Sequence, residues 1–363
     1  MNDDHYMSLA IELAEATRGQ TSPNPQVGCV IVKHNQIKGI GAHLKAGEWH
    51  AERQALHMAK DEANGATAYV TLEPCSHHGK TPPCSDALIE AGISRVVTAS
   101  SDPNPDVSGR GIRRLRDAGI EVIEGVQKER ADRMNRWFFH AITTQTPYVM
   151  LKFATSLDGK IATATGESQW ISNEKSRADV HRIRHQVDGI LVGRETVVQD
   201  NPSLTTRLPA GGKNPTRIIM DRTLRTPPDS IMLHDGQSPV WIITVAGAPE
   251  ERKEALTASG AAIIEINERD RFIEEMLEAL GSRGISTLLV EGGGTINDQF
   301  LTKGLFHEVI HYQAPVIIGG NDAQSSFSGA GVQQLANAPR LLLDQEEWFD
   351  DDVKRTYVYK GQR

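Results

Sequence analysis

At 363 residues the chain is too long for one ordinary domain and suits two, each large enough to bury its own core. Hydrophobic residues at 39% and charged residues at 24% are the balance of a globular protein and exclude disordered and fibrous classes. The formal net charge of −8 divides into 16 Lys and Arg against 18 Asp and Glu through residue 146 and 23 against 29 beyond it; neither half carries the basic excess of a polynucleotide binder, so a small-molecule substrate is expected and nucleic acid is not.

Taken in chain order, the opening MNDDHYMSLAIELAEATRG has acids where a signal peptide needs a basic head. Met7, Ala10, Ile11 and Ala14 recur at helical spacing, which predicts a helix of the fold; no membrane span is expected. VGCVIV is a β-rich run, and KGIGAHL follows it past a turn at His34 and Asn35. A helix is predicted from near His50 to about Lys60, then the strand ATAYVTL, a helix from SDALIEAG, the strand RVVTAS, a helix over GRGIRRLRDAG, the strand IEVIEGV and a helix through Trp137. This alternation predicts a layered α/β domain with helices on both faces of its sheet. A polar stretch ending in Pro147 predicts the boundary, giving domains of residues 1–146 and 147–363. The second part alternates again, with strands at GILVG, TRIIMD, PVWIIT, AAIIEI, TLLVEGG and HEVIHYQAPVII, and is also α/β. The acidic run DQEEWFDDD reads as a solvated loop before a last strand, RTYVYK.

Three cysteines in so long a chain argue against a disulfide framework and for a reducing, cytoplasmic compartment. Cys29, inside VGCVIV, reads as a core residue. His50, Cys75 and Cys84 supply one imidazole and two sulfurs, the ligand set of a catalytic zinc that leaves a fourth place for water, one Zn2+ per chain. Cys84 precedes a helix whose free amides favour a thiolate. Glu52, two residues after His50, would shuttle a proton without binding the metal, and the layout follows that of zinc deaminases. The competing reading is a structural zinc with His77, His78 or Asp86 as fourth ligand, for which Glu52 has no use. In the second part, VEGGGTINDQF is a strand, a glycine-rich turn and a helix, which lets backbone amides approach a phosphate, although it is neither a G-x-G-x-x-G nor a P-loop.

Larger stretches carry a resemblance. SPNPQVGCVIV, GAHLKAGEWHAE and VTLEPCSHHGKTPPC, with eight residues between the two cysteines, closely resemble the deaminase half of the bifunctional riboflavin-biosynthesis deaminase/reductase family. LKFATSLDGKIA, GESQWIS, LVGRETVVQDNPSLTTR and VEGGGTIND resemble its reductase half, in the expected order and over almost the whole chain. The resemblance implies a three-layer, cytidine-deaminase-like N-terminal domain and a dihydrofolate-reductase-like C-terminal domain. The first would hydrolyse the amino group at C2 of a diaminopyrimidinone ribosyl phosphate, with Glu52 moving protons. The second would reduce the ribose carbonyl of the product to a ribityl chain with NADPH.

Carried over by matching position, Asn24, His43, His77 and Lys80 would line the pyrimidine site. Ala154, Trp170, Thr196, Asp200 and the run Gly293, Gly294, Thr295, Ile296, Asn297, Asp298 and Gln299 would contact NADPH, and Ser168, Arg184, Leu204, Arg207 and Glu291 the ribosylaminopyrimidine phosphate. Lys152, on the strand that opens the second domain, could reach the carbonyl, with an internal ion pair as its plain alternative; water is the other proton source. Arg222, after TRIIMD, could meet a 2′-phosphate, against the alternative of a surface arginine. A homo-oligomer is the general expectation for such enzymes. The rival readings are a nucleic-acid base deaminase with an accessory domain and a nucleotide-binding regulatory protein with a structural zinc.

Overall fold

The computed structural model describes residues 2–76, 82–104 and 108–359. The chain divides into two compact units, the first ending at Gln145 and the second beginning at Thr146.

In the first unit, α1 (Asp3–Glu15) starts where Asn2 accepts the His5 N–H at 3.2 Å, with Asp3 and Asp4 in its first turn countering the helix dipole. The chain continues through β1 (Gly28–Lys33), β2 (Gln36–Ala42), α2 (Ala51–Ala59), β3 (Thr67–Leu72), α3 (Cys84–Glu90), β4 (Arg95–Ser100), α4 (Arg110–Asp117), β5 (Glu121–Ile123), α5 (Lys128–Met134) and α6 (Arg136–Thr144). The sheet runs β2-β1-β3-β4-β5, antiparallel across β1 and parallel from β3 on. Strand alternation sorts the core. Cys29 and Ile31 of β1 face Ala51, Ala55, Leu88 and Leu115 of α2, α3 and α4, whereas Val30 and Val32 face Met7, Ile11 and Met134 of α1 and α5. Helices thus cover both faces, making three layers.

Where the sequence predicts one helix through Trp137, two are found. Asn135 stands between them at φ −96° and ψ 11°, its buried amide accepting the Gln26 N–H at 2.9 Å and donating to the Gln26 carbonyl at 2.8 Å. That reciprocal pair ties the α5–α6 junction to the loop ahead of β1, 109 positions earlier.

The second unit contains β6 (Tyr148–Thr155), α7 (Glu174–Gln186), β7 (Gly189–Gly193), α8 (Arg194–Asp200), β8 (Thr216–Met220), α9 (Ile231–His234), β9 (Val240–Val245), α10 (Glu250–Ala258), β10 (Ala261–Ile266), α11 (Phe272–Gly281), β11 (Thr287–Val290), α12 (Gly294–Lys303), β12 (Glu308–Gln313), β13 (Leu341–Phe349) and β14 (Asp352–Tyr359). Its nine-stranded sheet has the order β10-β9-β8-β7-β11-β6-β12-β14-β13, parallel from β10 to β12 and antiparallel at β14 and β13. Because β11 inserts between β7 and β6, chain order reverses there, a switch point of the kind at whose strand carboxyl ends open α/β sheets bind ligands.

The acidic run is a correction. DQEEWF lies in β13, not in a loop, because its charges find cross-strand partners: Glu346 pairs with Arg355 at 2.8 Å and Glu347 with Lys354 at 3.0 Å. Similarly, β12 stops at Gln313, short of the predicted APVII. No helix among the described residues is long and apolar enough to cross a membrane.

Candidate active sites

His50 is the N-cap of α2, in extended conformation (φ −70°, ψ 162°), and its side chain makes no capping hydrogen bond. Its Nδ1 lies 3.6 Å from Cys75 Sγ and 3.3 Å from Cys84 Sγ, and among the described residues this trio is the one set of metal-ligating side chains whose donor atoms all fall within 4.8 Å of one another. Cys75 follows β3, and Cys84 opens α3 with its backbone N–H donating to Cys75 Sγ at 3.3 Å. A hydrogen bond from Cys84, then one from His50, brings the Cys75 thiol down to about 4 against the opposing effect of burial; the same sharing, with burial, pushes Cys84 up. One sulfur therefore ionises readily and the other keeps the shared proton, so a cation that displaces it meets two soft donors and a nitrogen. Cys29 is fully buried in the core, its thiol pushed up by burial.

Glu52 lies in the first turn of α2, 3% exposed, and its Oε2 has no hydrogen-bond partner among the described residues. Burial, then the charge of Cys75, lifts its carboxyl to about 7. A carboxyl near neutrality can both accept and return a proton. The site opens into a cavity of about 530 Å³ lined by Asn24, His43, Glu48, His50, Glu52, Asp102, Asn104 and Phe138 among others. Asn24 Nδ2 donates to His43 Nε2 at 3.0 Å and His43 Nδ1 meets the Trp49 carbonyl at 3.2 Å, which assigns the ring proton to Nδ1. Burial, above all, lowers the His43 pKa and keeps the ring neutral. His77 and Lys80 lie outside the described residues, as does His78, the other loop histidine open to a structural zinc; Asp86 is engaged by Arg114.

In the second unit, Lys152 of β6, Arg184 of α7 and Glu291, just after β11, form one buried charge cluster. Arg184 grips both oxygens of Glu291, Nε at 2.8 Å and Nη2 at 3.0 Å, and donates to the Thr205 carbonyl at 3.2 Å. Lys152 Nζ stands 3.6 Å from Glu291 Oε2, and all three side chains are at most 14% exposed. Arg184 is thus a buried partner of Glu291. Burial would raise the Glu291 carboxyl, but Arg184 and Lys152 override it and hold it at about 2. Burial also lowers the Lys152 pKa.

The remaining predicted positions fall on several elements of the second unit. Ala154 is on β6, Thr196 and Asp200 on α8, and Ser168 and Trp170 on the segment before α7, where Arg177 stacks on the Trp170 ring at 4.7 Å. Leu204 is buried, at 4% exposure, and Arg207 is exposed. Gly293 caps α12 with open space beside it, whereas a Cβ on Gly294 would overlap the Ser325 carbonyl and the Ser328 hydroxyl. Thr295, Ile296, Asn297, Asp298 and Gln299 form the first turns of α12; Asn297 is fully buried and donates to the Ser326 carbonyl at 2.9 Å. Arg222 lies over the Phe272 ring and reaches Gln299 Oε1 at 3.4 Å.

Two residues escape sequence reasoning. Glu73 accepts four backbone N–H groups beside the metal ligands. His181, one turn before Arg184, has a buried Nδ1, and burial with the charges of Arg184 and Arg207 lowers its pKa to about 4. The i, i+3 spacing to Arg184 was the available signal for His181; Glu73 had only its place beside Pro74.

Residues 147–354 match the family model of the RibD C-terminal domain, and residues 1–100 that of the cytidine and deoxycytidylate deaminase zinc-binding region. The riboflavin biosynthesis protein RibD of Bacillus amyloliquefaciens is 47% identical over 359 residues, covering 99% of this chain and 96% of its own. That of Escherichia coli (strain K12) is 41% identical over 366 residues, covering 97% and 98%. Among solved structures, Acinetobacter baumannii RibD (form 1) matches with a TM-score of 0.89 at 38% identity over 99% of both chains. The Thermotoga maritima diaminohydroxyphosphoribosylaminopyrimidine deaminase/5-amino-6-(5-phosphoribosylamino)uracil reductase matches at 0.86 and 36% over 98% of both.

Proposed function

The chain belongs to the RibD family of bifunctional riboflavin-biosynthesis enzymes, a deaminase joined to a reductase, and from that premise we propose a site and a cofactor for each half. The first unit holds Zn2+ on His50 Nδ1, Cys75 and Cys84 and hydrolyses the 2-amino group of 2,5-diamino-6-(ribosylamino)pyrimidinone 5′-phosphate. The fit rests on the donor chemistry of the trio and on the unpartnered Glu52 Oε2 beside it. Bound zinc supplies a water acidic enough to attack at neutral pH. Glu52 would take one proton of that water and hand it to the ring nitrogen, then take the second from the hydroxyl added at C2 and hand it to the amino group, so that the carbon–nitrogen bond breaks, ammonia leaves and the oxygen stays on the ring. Asn24 and the neutral His43 hold the pyrimidine edge, with His77 and Lys80 as the remaining contacts.

The second unit reduces the ribosyl carbonyl of the product to ribityl, with NADPH supplying the hydride. Gly293, open at the start of α12, suits a close phosphate approach, and Arg222 beside Gln299 suits the 2′-phosphate. Ala154, Trp170, Thr196 and Asp200 complete the cofactor contacts, and Ser168, Leu204 and Arg207 the substrate contacts. Glu291, clamped by Arg184, orients Lys152, whose ammonium is made more acidic by burial and is the acid assigned to the carbonyl oxygen. The exposed Leu342, Leu343 and Trp348 of β13 support a homo-oligomer, and the two site thiols suit a reducing cytoplasm.

The buried Glu52 carboxylate, with Oε2 unpartnered among the described residues, carries the deaminase reading, because a structural metal would leave it unexplained. Glu52→Gln is expected to retain zinc and reductase turnover while deaminase kcat falls by roughly 10²–10⁴, the usual worth of a positioned acid/base. Ammonia release at the wild-type rate would remove the mechanism.

A further inference from the structure

Glu73 stands directly after β3, two residues before Cys75, and is only 4% exposed although it carries a carboxylate. Four backbone N–H groups donate to it: Gly111 (3.0 Å) and Ile112 (3.3 Å) to Oε1, Gly109 (2.9 Å) and Asp102 (3.4 Å) to Oε2. Three of these donors belong to the start of α4, where amides have no partner within the helix. Gly111 has no room for a side chain, since a Cβ there would overlap the Pro74 carbonyl oxygen. Side chain and backbone together bind the Glu73–Pro74 segment to the first turn of α4.

Cys75 comes next and is held from the other direction by α3. Cys84 N–H donates to its Sγ at 3.3 Å, and Ser85 donates to its carbonyl through the backbone N–H at 3.2 Å and the hydroxyl at 3.1 Å. The ligand sulfur is therefore suspended between two helix starts. Asp102 and Asn104, on the segment whose amide Glu73 accepts, line the same cavity as Glu52.

We infer that Glu73 is a positioning residue of the deaminase, fixing Cys75 for the metal and the Asp102–Asn104 wall for the pyrimidine; this rests on the zinc reading of His50, Cys75 and Cys84. A carboxylate is needed because both its oxygens are acceptors. A glutamine would turn an NH2 group toward two N–H donors.

The test uses the full chain, with zinc affinity measured by competition against a chromophoric chelator, deaminase kcat and KM measured separately, far-UV circular dichroism as the record of folded chain, and reductase turnover as the control for the other half. Glu73→Gln is expected to weaken zinc binding by about 10–100-fold, the range seen when outer partners of a metal site are removed, and to raise KM for the pyrimidine while reductase turnover stays unchanged. Glu73→Asp, which keeps the charge but is one methylene short, should fall between. Wild-type zinc affinity and kinetics in Glu73→Gln overturn the inference, as does a loss of thermal stability alone. Should Glu73→Gln yield no folded deaminase unit, Glu73→Asp decides on the same readouts. A wild-type chain that binds no zinc overturns the metal reading and the inference together, and is the first measurement made.

Discussion

Glu291 shows how much a single side chain's surroundings decide. It gathers Arg184 from 107 positions earlier and Lys152 from β6, and the two cations outweigh its desolvation. Removing Glu291 would leave two buried cations facing each other with no counter-charge, whereas removing Lys152 would leave the bidentate Arg184–Glu291 pair intact. The opposite case is His311 on β12. Its Nε2 meets Thr155 Oγ1 at 2.7 Å, and burial, with Arg355 nearby, lowers its pKa from 6.5 to about 4. The folded ring stays neutral where the unfolded one takes a proton, so its contribution is full above about pH 6.5 and is lost as pH falls toward 4. Acidification from pH 7 to 5 should therefore cost the reductase unit about 1–2 kcal/mol through this ring. Urea titrations followed by loss of reductase turnover, at both pH values, would show it: the wild type should lose more resistance on acidification than His311→Gln, and equal losses would count against it.

At the scale of elements, the turn between β11 and α12 separates two glycines by what surrounds them. Gly293 has open space and Gly294 has none, its Cβ position being taken by Ser325 and Ser328. Gly293→Ala should leave thermal stability unchanged and raise KM for NADPH roughly tenfold, equivalent to about 1.4 kcal/mol, because the added methyl stands where a phosphate would approach. An unchanged KM, read by steady-state kinetics at varied NADPH, would place the cofactor elsewhere. The strand and helix alternation was legible in the sequence because β1 and β3, buried on both faces, read as unbroken β-rich runs while α1 and α2 repeat their buried residues at the helical period. His50, Glu52 and Cys84 were legible for a local reason as well, since each sits within one turn of a helix start. Glu73 was not, because its four donors lie 29 to 39 residues downstream. Neither was the break at Asn135, made by a loop 109 positions away. β13 was misread because charge density resembles a solvated loop until the cross-strand partners Lys354 and Arg355 are seen.

For the whole molecule, the core clusters of the first unit run from Tyr6 to Met134 and that of the second from Val149 to Val309, so each half keeps its own apolar interior. Stripping zinc with a strong chelator should abolish ammonia release and leave reductase turnover intact, with ammonia release restored by added Zn2+. A parallel fall in both activities would contradict the assignment of metal to the first unit alone. The chain passes from one interior to the other at Gln145 and Thr146 without a break. Every ribosome that completes it therefore delivers the two catalysts in equal number, and gene dosage cannot adjust one against the other. Throughput is capped by whichever turns over more slowly, and only substitutions within that half can lift the ceiling.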